Sequence, residues 1–396
     1  MEHRRDLDGV RGVACLSVIL LHTVVGAIQA EAGSSYDQFR IAIQPFLIGG
    51  VDLFFVLSGF LIGGILLDNK ESTNYFRTFW RRRIGRIFPV YYVMILVLIA
   101  LYAVDWFYKT PLISGLLYNQ LPVWAYATFI QNFYMVSEGV FGNFLGVTWS
   151  LAVEEQFYLI LPPLVFLLSR GKIVVIAVLA IFAAPFVRTI LWQNIDWQAS
   201  YLLSPARMDT VMWGVLIACA VRNEHVISVL SRLRMAIGII IVFLAALVAA
   251  DMFNYASAPL LATTTYHTHG LFVSTLRYSA LAMMYALIIL RLYLPGAGAL
   301  RSFLSNPILV RVGLVSYAAY MYHQLINFTI HRAVHGGNPL IAEWRDAYLP
   351  IIVLSLTFLA AAVSYCYLEK PILDRARRQK YTFEEPQPQA LLSRLG

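Results

Sequence analysis

The sequence predicts an all-α polytopic membrane protein: a bundle of about ten transmembrane helices with cytoplasmic N- and C-termini. Composition and patterning predict it together. Of 396 residues, 59% are hydrophobic and 13% charged, whereas a typical soluble domain has about 25% charged residues. Apolar runs recur along almost the whole chain, each near the ~20 residues a helix needs to cross hydrocarbon. A membrane barrel would instead alternate over ten-residue segments, and no such pattern is present.

The runs fall at 9–29, 46–68, 86–105, 148–169, 173–191, 201–221, 235–253, 272–291, 311–332 and 348–368. With a cytoplasmic N-terminus, these ten place Lys70, Arg170, Lys172, Arg222, Arg232, Arg234, Arg291, Arg301 and the run Arg81 to Arg86 on one side, as the positive-inside rule requires. The aromatic stretch 121–136 would be an eleventh crossing, but it would invert every later loop. It reads as a re-entrant or interfacial segment, with Trp124, Tyr126, Phe129 and Tyr134 suited to the headgroup zone. Residues 1–373 form one membrane unit, and 374–396 a basic cytoplasmic tail, partly disordered.

The net charge of +8 sits in short loops between apolar runs, so it reads as an orientation signal and no nucleic-acid partner is expected. Cys15, Cys219 and Cys366 have neither zinc nor disulfide-framework spacing, and no metal site is expected. Arg4 and Arg5 before an apolar segment, with Ala30-Glu31-Ala32 after it, resemble a secretory signal. That reading is disfavoured because a signal's apolar region is shorter, at ~7–15 residues.

The first run also carries Arg11 and His22. Eleven residues on a helix are close to three turns, so the two share a face and are ~16 Å apart along the axis. Ionisable groups inside a membrane are costly and usually mark pathways or chemistry. Depth arithmetic at ~1.5 Å per residue brings Asp52, Glu154, Glu155, Arg207 and Asp209 to the level of His22 in the outer half. Polar groups can also act as helix glue, for instance as an Arg207–Glu154 pair. Convergence of a histidine, carboxylates and an arginine at one depth favours a functional cavity.

At the inner mouth, Arg82 and Arg86 are one helical turn apart, as are Arg83 and Arg86. They serve either as a positive-inside anchor or as a clamp for a phosphate-bearing ligand. His323, taken by itself, reads as a hydrogen-bonded core histidine rather than a catalyst. His331 and His335 have i, i+4 spacing without the carboxylate of a zinc protease. His267 and His269 are expected in a solvated outer loop, and Gly49-Gly50 and Gly63-Gly64 at close helix contacts.

These motifs come in a distinctive order. Leu7-Asp8-Gly9-Val10-Arg11-Gly12 with His22 is followed by Val51-Asp52-Leu53-Phe54-Phe55 through Ser58-Gly59-Phe60-Leu61, and by the basic run before Pro89. Then come Trp149-Ser150-Leu151-Ala152-Val153-Glu154-Glu155-Gln156, Ala206-Arg207-Met208-Asp209, Ser316-Tyr317 to His323, and Tyr367-Leu368-Glu369-Lys370-Pro371. The series resembles the membrane-bound acyltransferase family 3, which includes bacterial O-antigen and exopolysaccharide O-acetylases, over about residues 4–373.

The resemblance implies ten helices and transfer of an acyl group, usually acetyl, from cytoplasmic acyl-CoA to a hydroxyl at the outer face, in the bacterial inner membrane. It places the essential histidine on His22 and its partner arginine on Arg11. The CoA-binding arginines fall within Arg81 to Arg86, where an extra arginine blurs which two correspond, and the Trp-Ser-Leu motif falls on Trp149 and Glu154. No counterpart of the soluble esterase-like extension of some members is found, so a stand-alone membrane module is expected.

A hydroxyl needs a general base to attack a thioester, and histidine's intrinsic pKa near ~6.5 suits that task. His22 is therefore expected as the base, oriented by Asp52 or Glu154, with Arg11, Arg82, Arg83 and Arg86 on the donor and Trp149, Arg207, Asp209 and His323 on the acceptor. An acyl-histidine intermediate would serve equally well. Acyl-CoA enters as donor substrate and no tightly bound cofactor is expected. The expected partners are a glycan or other hydroxyl acceptor and the lipid bilayer, and a homodimer is left open. The competing class is a secondary transporter, in which the same charges would bind cargo.

Overall fold

The computed structural model of the protein describes residues 4–28, 34–140, 142–257, 275–341 and 344–384. The expectations for Ala30-Glu31-Ala32, for His267 and His269, and for the tail from residue 385 lie outside these residues. Among the described residues the regular elements are helical, and the only β pairing is a single parallel bridge between Ile28 and Ile341.

In chain order the helices are α1 (Arg5–Leu20), α2 (Ser35–Leu47), α3 (Gly50–Asp68), α4 (Tyr75–Tyr108), α5 (Pro111–Leu116), α6 (Val123–Ala127), α7 (Gln131–Ser137), α8 (Trp149–Leu167) and α9 (Arg170–Asn194). They continue with α10 (Trp197–Leu202), α11 (Met208–Ala220), α12 (Glu224–Arg232), α13 (Arg234–Ser257), α14 (Arg277–Arg291), α15 (Gly298–Leu304), α16 (Pro307–His335), α17 (Tyr348–Ser364) and α18 (Lys370–Arg377). Two π-helical turns, Leu21–Val25 after α1 and Tyr365–Glu369 between α17 and α18, extend their helices.

Seven described helices are long and apolar enough to cross a membrane, or eight if the bent pair Ser204–Ala220 and Glu224–Arg232 is one span. Large apolar side chains such as Leu159, Phe182, Phe186, Ile239 and Ile351 point outward, as a lipid-facing surface requires. The protein is a polytopic helical membrane protein. Two of the ten expected spans fall outside that set for different reasons. Over 272–291 the described helix is only the 15 residues of α14. Helix α16 has 29 residues, but Ser316, Tyr317, Tyr320, Tyr322, His323 and Asn327 dilute its apolar character.

The stretch 121–136 makes two short helices, α6 and α7, of 5 and 7 residues, too short to cross. They are held from within: the Tyr91 hydroxyl donates to the Tyr126 carbonyl at 2.8 Å, and Gln131 donates to the Thr148 carbonyl at 2.8 Å. Phe129 stacks on Tyr91 with ring centroids 4.4 Å apart.

Two parallel helix pairs position the functional residues. Helices α1 and α16 meet through glycines: a Cβ on Gly12 would lie 2.1 Å from the Leu309 carbonyl oxygen, and one on Gly313 1.9 Å from that of Asp8. The Cys15 thiol faces the Ser316 carbonyl and His22 faces His323, both at a sequence separation of 301. Gly12 and Gly313 share that separation, so the helices run parallel in constant register.

Helices α3 and α11 do the same through Gly59, whose Cβ would lie 2.0 Å from the Val211 carbonyl oxygen, and Gly214, 2.1 Å from that of Val56. Ion pairs close both ends of this contact, Asp52–Arg207 at 2.7 Å and Asp68–Arg222 at 2.6 Å. Of the glycine pairs expected at close contacts, Gly49 and Gly50 crowd Tyr285 and α1, and Gly63 lies against Val215.

Candidate active site

The basic run is helical rather than a loop before a span. Helix α4 has 34 residues, about 50 Å at 1.5 Å per residue, which exceeds the ~30 Å hydrocarbon thickness. Its first turns pack into the bundle through Tyr75, Thr78 and Phe79, all buried, and carry the arginines there, whereas Trp106, Phe107 and Tyr108 at its other end are exposed. Arg82, Arg83 and Arg86 line a cavity of about 590 Å³ together with Arg4, Arg11 and Arg377. That volume lies within the range of small-molecule sites, and this many guanidinium groups suit an anionic ligand. Arg4 and Arg377 share the cavity, so both ends of the described chain lie at its basic mouth.

The three α4 arginines are used differently. Arg82 donates to the Gln379 carbonyl at 2.7 Å, which commits one arm to the C-terminal segment. Arg83 and Arg86 face the cavity interior, where they act on Glu154. Arg11 is ion-paired with Asp8 one turn earlier, at 2.7 Å. Glu154 was expected level with His22. It lines the cavity instead, together with Ser58 and Tyr158, whose hydroxyls are 2.8 Å from each other.

The far end of the cavity reaches Phe54, Ser150 and Tyr320. The Tyr320 hydroxyl donates to the Val147 carbonyl at 2.8 Å and lies 2.7 Å from the Ser150 hydroxyl. The Tyr320 carbonyl lies 2.6 Å from His323 Nδ1, and His323 Nε2 lies 2.9 Å from His22 Nδ1. The rings stack at 5.1 Å with 13° between planes. A carbonyl can only accept, so His323 Nδ1 carries the hydrogen. In neutral His323 the Nε2 lone pair then accepts from His22 Nδ1–H, which leaves His22 Nε2 with the free basic lone pair.

His22 itself sits in the Leu21–Val25 π turn. Such turns in otherwise α-helical segments are frequent at functional sites. The Asn327 amide donates to the His22 carbonyl at 3.3 Å. The histidine's neighbour is thus His323 and not a carboxylate: among the described residues neither Asp52 nor Glu154 bonds to it. Depth alone could not separate these possibilities, because it locates a residue along the membrane normal and not around the bundle.

Asp52 pairs with Arg207, both side chains buried, and not Glu154 with Arg207 as depth suggested. Asp209 pairs with Arg188, which the sequence reading did not single out. Arg188 reaches both Asp209 oxygens at 3.0 and 2.8 Å and donates to the Thr275 carbonyl at 2.8 Å, and Ser279 donates to Asp209 at 2.6 Å. The single expected layer therefore separates into three sets: the histidine pair, the cavity carboxylate Glu154, and two buried Arg–Asp pairs.

Around Arg207 stand Tyr278, Tyr201, Phe55 and Trp149, with ring centroids 4.4, 5.2, 5.7 and 5.8 Å from the guanidinium carbon. Arg207 Nε and Nη1 are buried with no hydrogen-bond partner among the described residues. Sequence reasoning found Trp149 but missed the two tyrosines, whose isolated positions give no local signal.

Removing one partner of a buried ion pair leaves an uncompensated charge, at a cost of about 3–5 kcal/mol. Arg188→Leu is expected to destabilise the protein by that order, and Arg188→Leu with Asp209→Leu to recover much of it. Thermal unfolding of the detergent-solubilised variants checks this. Equal losses in the single and double variants would contradict it.

The described residues form a polytopic membrane protein whose arginine-lined cavity reaches a tyrosine bonded to a histidine pair. A family described as an acyltransferase domain, acyltransferase family 3, matches residues 4–369. The chain belongs to this family. It is 28% identical over 386 residues, 93% of this chain and 55% of the relative, to the peptidoglycan O-acetyltransferase OatA of Listeria monocytogenes. It is 27% identical over 394 residues, 92% of this chain and 56% of the relative, to the O-acetyltransferase OatA of Staphylococcus aureus. The chain thus spans a little over half the length of these relatives. No solved structure matches it.

Proposed function

We propose that the chain is a membrane O-acyltransferase of the bacterial inner membrane, with its basic end cytoplasmic. It would take an acyl group, most simply acetyl, from acyl-CoA in the arginine-lined cavity and deliver it to a hydroxyl of an envelope glycan. One observation carries the reading: the path from Arg83 and Arg86 along the cavity to Tyr320, and from the Tyr320 carbonyl through His323 to His22. It joins an anion site to a poised base. The names of both relatives support acetyl as the group, and that of the Listeria relative, a peptidoglycan O-acetyltransferase, supports the envelope as the destination.

In this reaction the CoA phosphates sit among Arg83, Arg86 and Arg11, and the pantetheine arm lies along the cavity toward Ser150 and Tyr320. His22 Nε2 takes the acceptor hydroxyl proton as its oxygen forms a bond to the thioester carbonyl carbon. The carbon–sulfur bond then breaks and the thiolate leaves, to be protonated as free CoA. His323 acts as a positioning residue, because its bond to His22 Nδ1 fixes which nitrogen is basic, the task a carboxylate performs in hydrolytic triads. The Arg207 box of Trp149, Tyr201 and Tyr278, with two unspent donors, suits a sugar, which stacks on aromatic rings and accepts hydrogen bonds.

The experiment is release of free CoA thiol from acetyl-CoA by protein in envelope vesicles, with mass spectrometry of the glycan. Thiol release coupled to glycan acetylation is expected. Sugar or anion flux without thioester consumption would instead make the protein a transporter. Charge-assisted hydrogen bonds contribute about 1.5–3 kcal/mol each, so Arg83→Gln with Arg86→Gln is expected to weaken CoA binding about 100-fold or more. Unchanged CoA affinity in that variant would remove the donor assignment.

A further inference from the structure

Beyond α18, the chain turns back across the basic mouth of the cavity. Residues 379–382 are fastened to the start of α4 along their length. The Thr73 amide donates to the Thr382 carbonyl at 2.9 Å, the Asn74 side chain donates to the Lys380 carbonyl at 3.0 Å, and the Thr382 amide donates to Asn74 Oδ1 at 3.1 Å. Arg81 and Arg82 donate to the side chain and carbonyl of Gln379 at 2.9 and 2.7 Å. So many bonds to a segment with no apolar core of its own make a strap.

The strap's one aromatic residue points inward. Tyr381 lines the cavity, and its ring faces the Arg82 guanidinium at 5.1 Å. Its hydroxyl and Arg82 Nε are buried without a hydrogen-bond partner among the described residues, so both retain bonding capacity at the mouth. Burial raises the Tyr381 pKa above its ordinary value, against the pull of Arg82 and Arg83, and the ring is a neutral phenol at physiological pH. An aromatic face braced by a cation, beside open arginines, is the arrangement on which nucleobases stack while their phosphates are neutralised.

We propose that the strap is part of the donor site, and that the Tyr381 ring, backed by Arg82, is the face on which the purine base of the nucleotide-bearing thioester stacks. The proposal rests on the acyl-CoA reading above and deepens it: Arg83 and Arg86 hold phosphate, whereas Arg82 and Tyr381 recognise the base. The acyl-bearing arm then enters the cavity with its far end anchored at the rim.

The test is calorimetric titration of the full chain in detergent with CoA and with 4′-phosphopantetheine, which lacks the adenosine and its 3′- and 5′-phosphates. Stacking on an aromatic ring is worth at least about fivefold in affinity. Tyr381→Ala is expected to weaken CoA about fivefold or more and leave 4′-phosphopantetheine unchanged, and Tyr381→Phe to stay near wild type on both. Equal weakening of both ligands by Tyr381→Ala would make the strap structural only, and no change on CoA would remove the base contact. Wild-type protein that binds 4′-phosphopantetheine as tightly as CoA would overturn this proposal alone. Wild-type protein that binds neither would overturn the donor reading and this proposal with it.

Discussion

His22→Ala protein is expected to bind CoA normally and to transfer its acyl group about 10²–10⁴-fold more slowly, the range lost with a positioned general base. Binding should survive because the arginine cavity does not include His22. His323→Ala should also slow transfer, by about tenfold or more, since it frees His22 to hold its proton on the wrong nitrogen. The two losses should not add: the histidines act as one unit, so the double variant should be no slower than His22→Ala. Single-turnover measurement with prebound acetyl-CoA separates chemistry from binding. Wild-type turnover by well-folded His22→Ala protein would end the base assignment, and additive losses would end the relay.

A second large effect is expected far from the histidines. Gly313→Val places its Cβ where the Asp8 carbonyl oxygen now stands, 1.9 Å away in the unrelaxed backbone. The obstacle is main chain, so neither helix can yield by a rotamer change. Overpacking of this kind costs about 1–3 kcal/mol and occasionally more. Separation of α1 from α16 should also pull His22 from His323 and lower transfer beyond what the remaining folded fraction accounts for. Gly171→Ala is the control, since nothing lies within 4 Å of its added Cβ. Thermal unfolding together with activity per folded molecule checks both, and a silent Gly313→Val would contradict the close crossing.

How much of this was legible in the sequence depended on the kind of information each residue carries. Apolar run length and the distribution of cations located seven spans and excluded a crossing at 121–136, because both follow from the thickness and charge preference of a bilayer. Helix α16 was legible as a span only loosely, since its tyrosines and histidine face protein and not lipid. Arg11 and His22 stood out as polar residues in an apolar helix. The partner of His22 did not, because a helix at unknown rotation cannot say which neighbour a residue faces.

A signal for it did exist: Gly12 precedes His22, and Gly313 precedes His323, by the same ten residues. Two glycines that permit contact, followed at equal distance by two histidines, encode a parallel pair in register. Arg188 carried the same mark as Arg11, a charge inside an apolar run, but nothing in the sequence told which residue it faces. The strap was read as tail because polarity and charge describe its solvent face and not what Tyr381 turns toward.

The constant separation between α1 and α16 also limits how these two helices can vary in length. A residue inserted between Gly12 and His22 would rotate the imidazole by about 100° around its helix, away from His323, even if every side chain were otherwise kept. The same insertion between Gly313 and His323 would turn the second imidazole by the same angle in the same sense, to the opposite side of the contact, and would not bring the rings together again. Each segment is therefore fixed in length from its glycine to its histidine, whereas the connection between them, residues 24–306, places no demand on that phase.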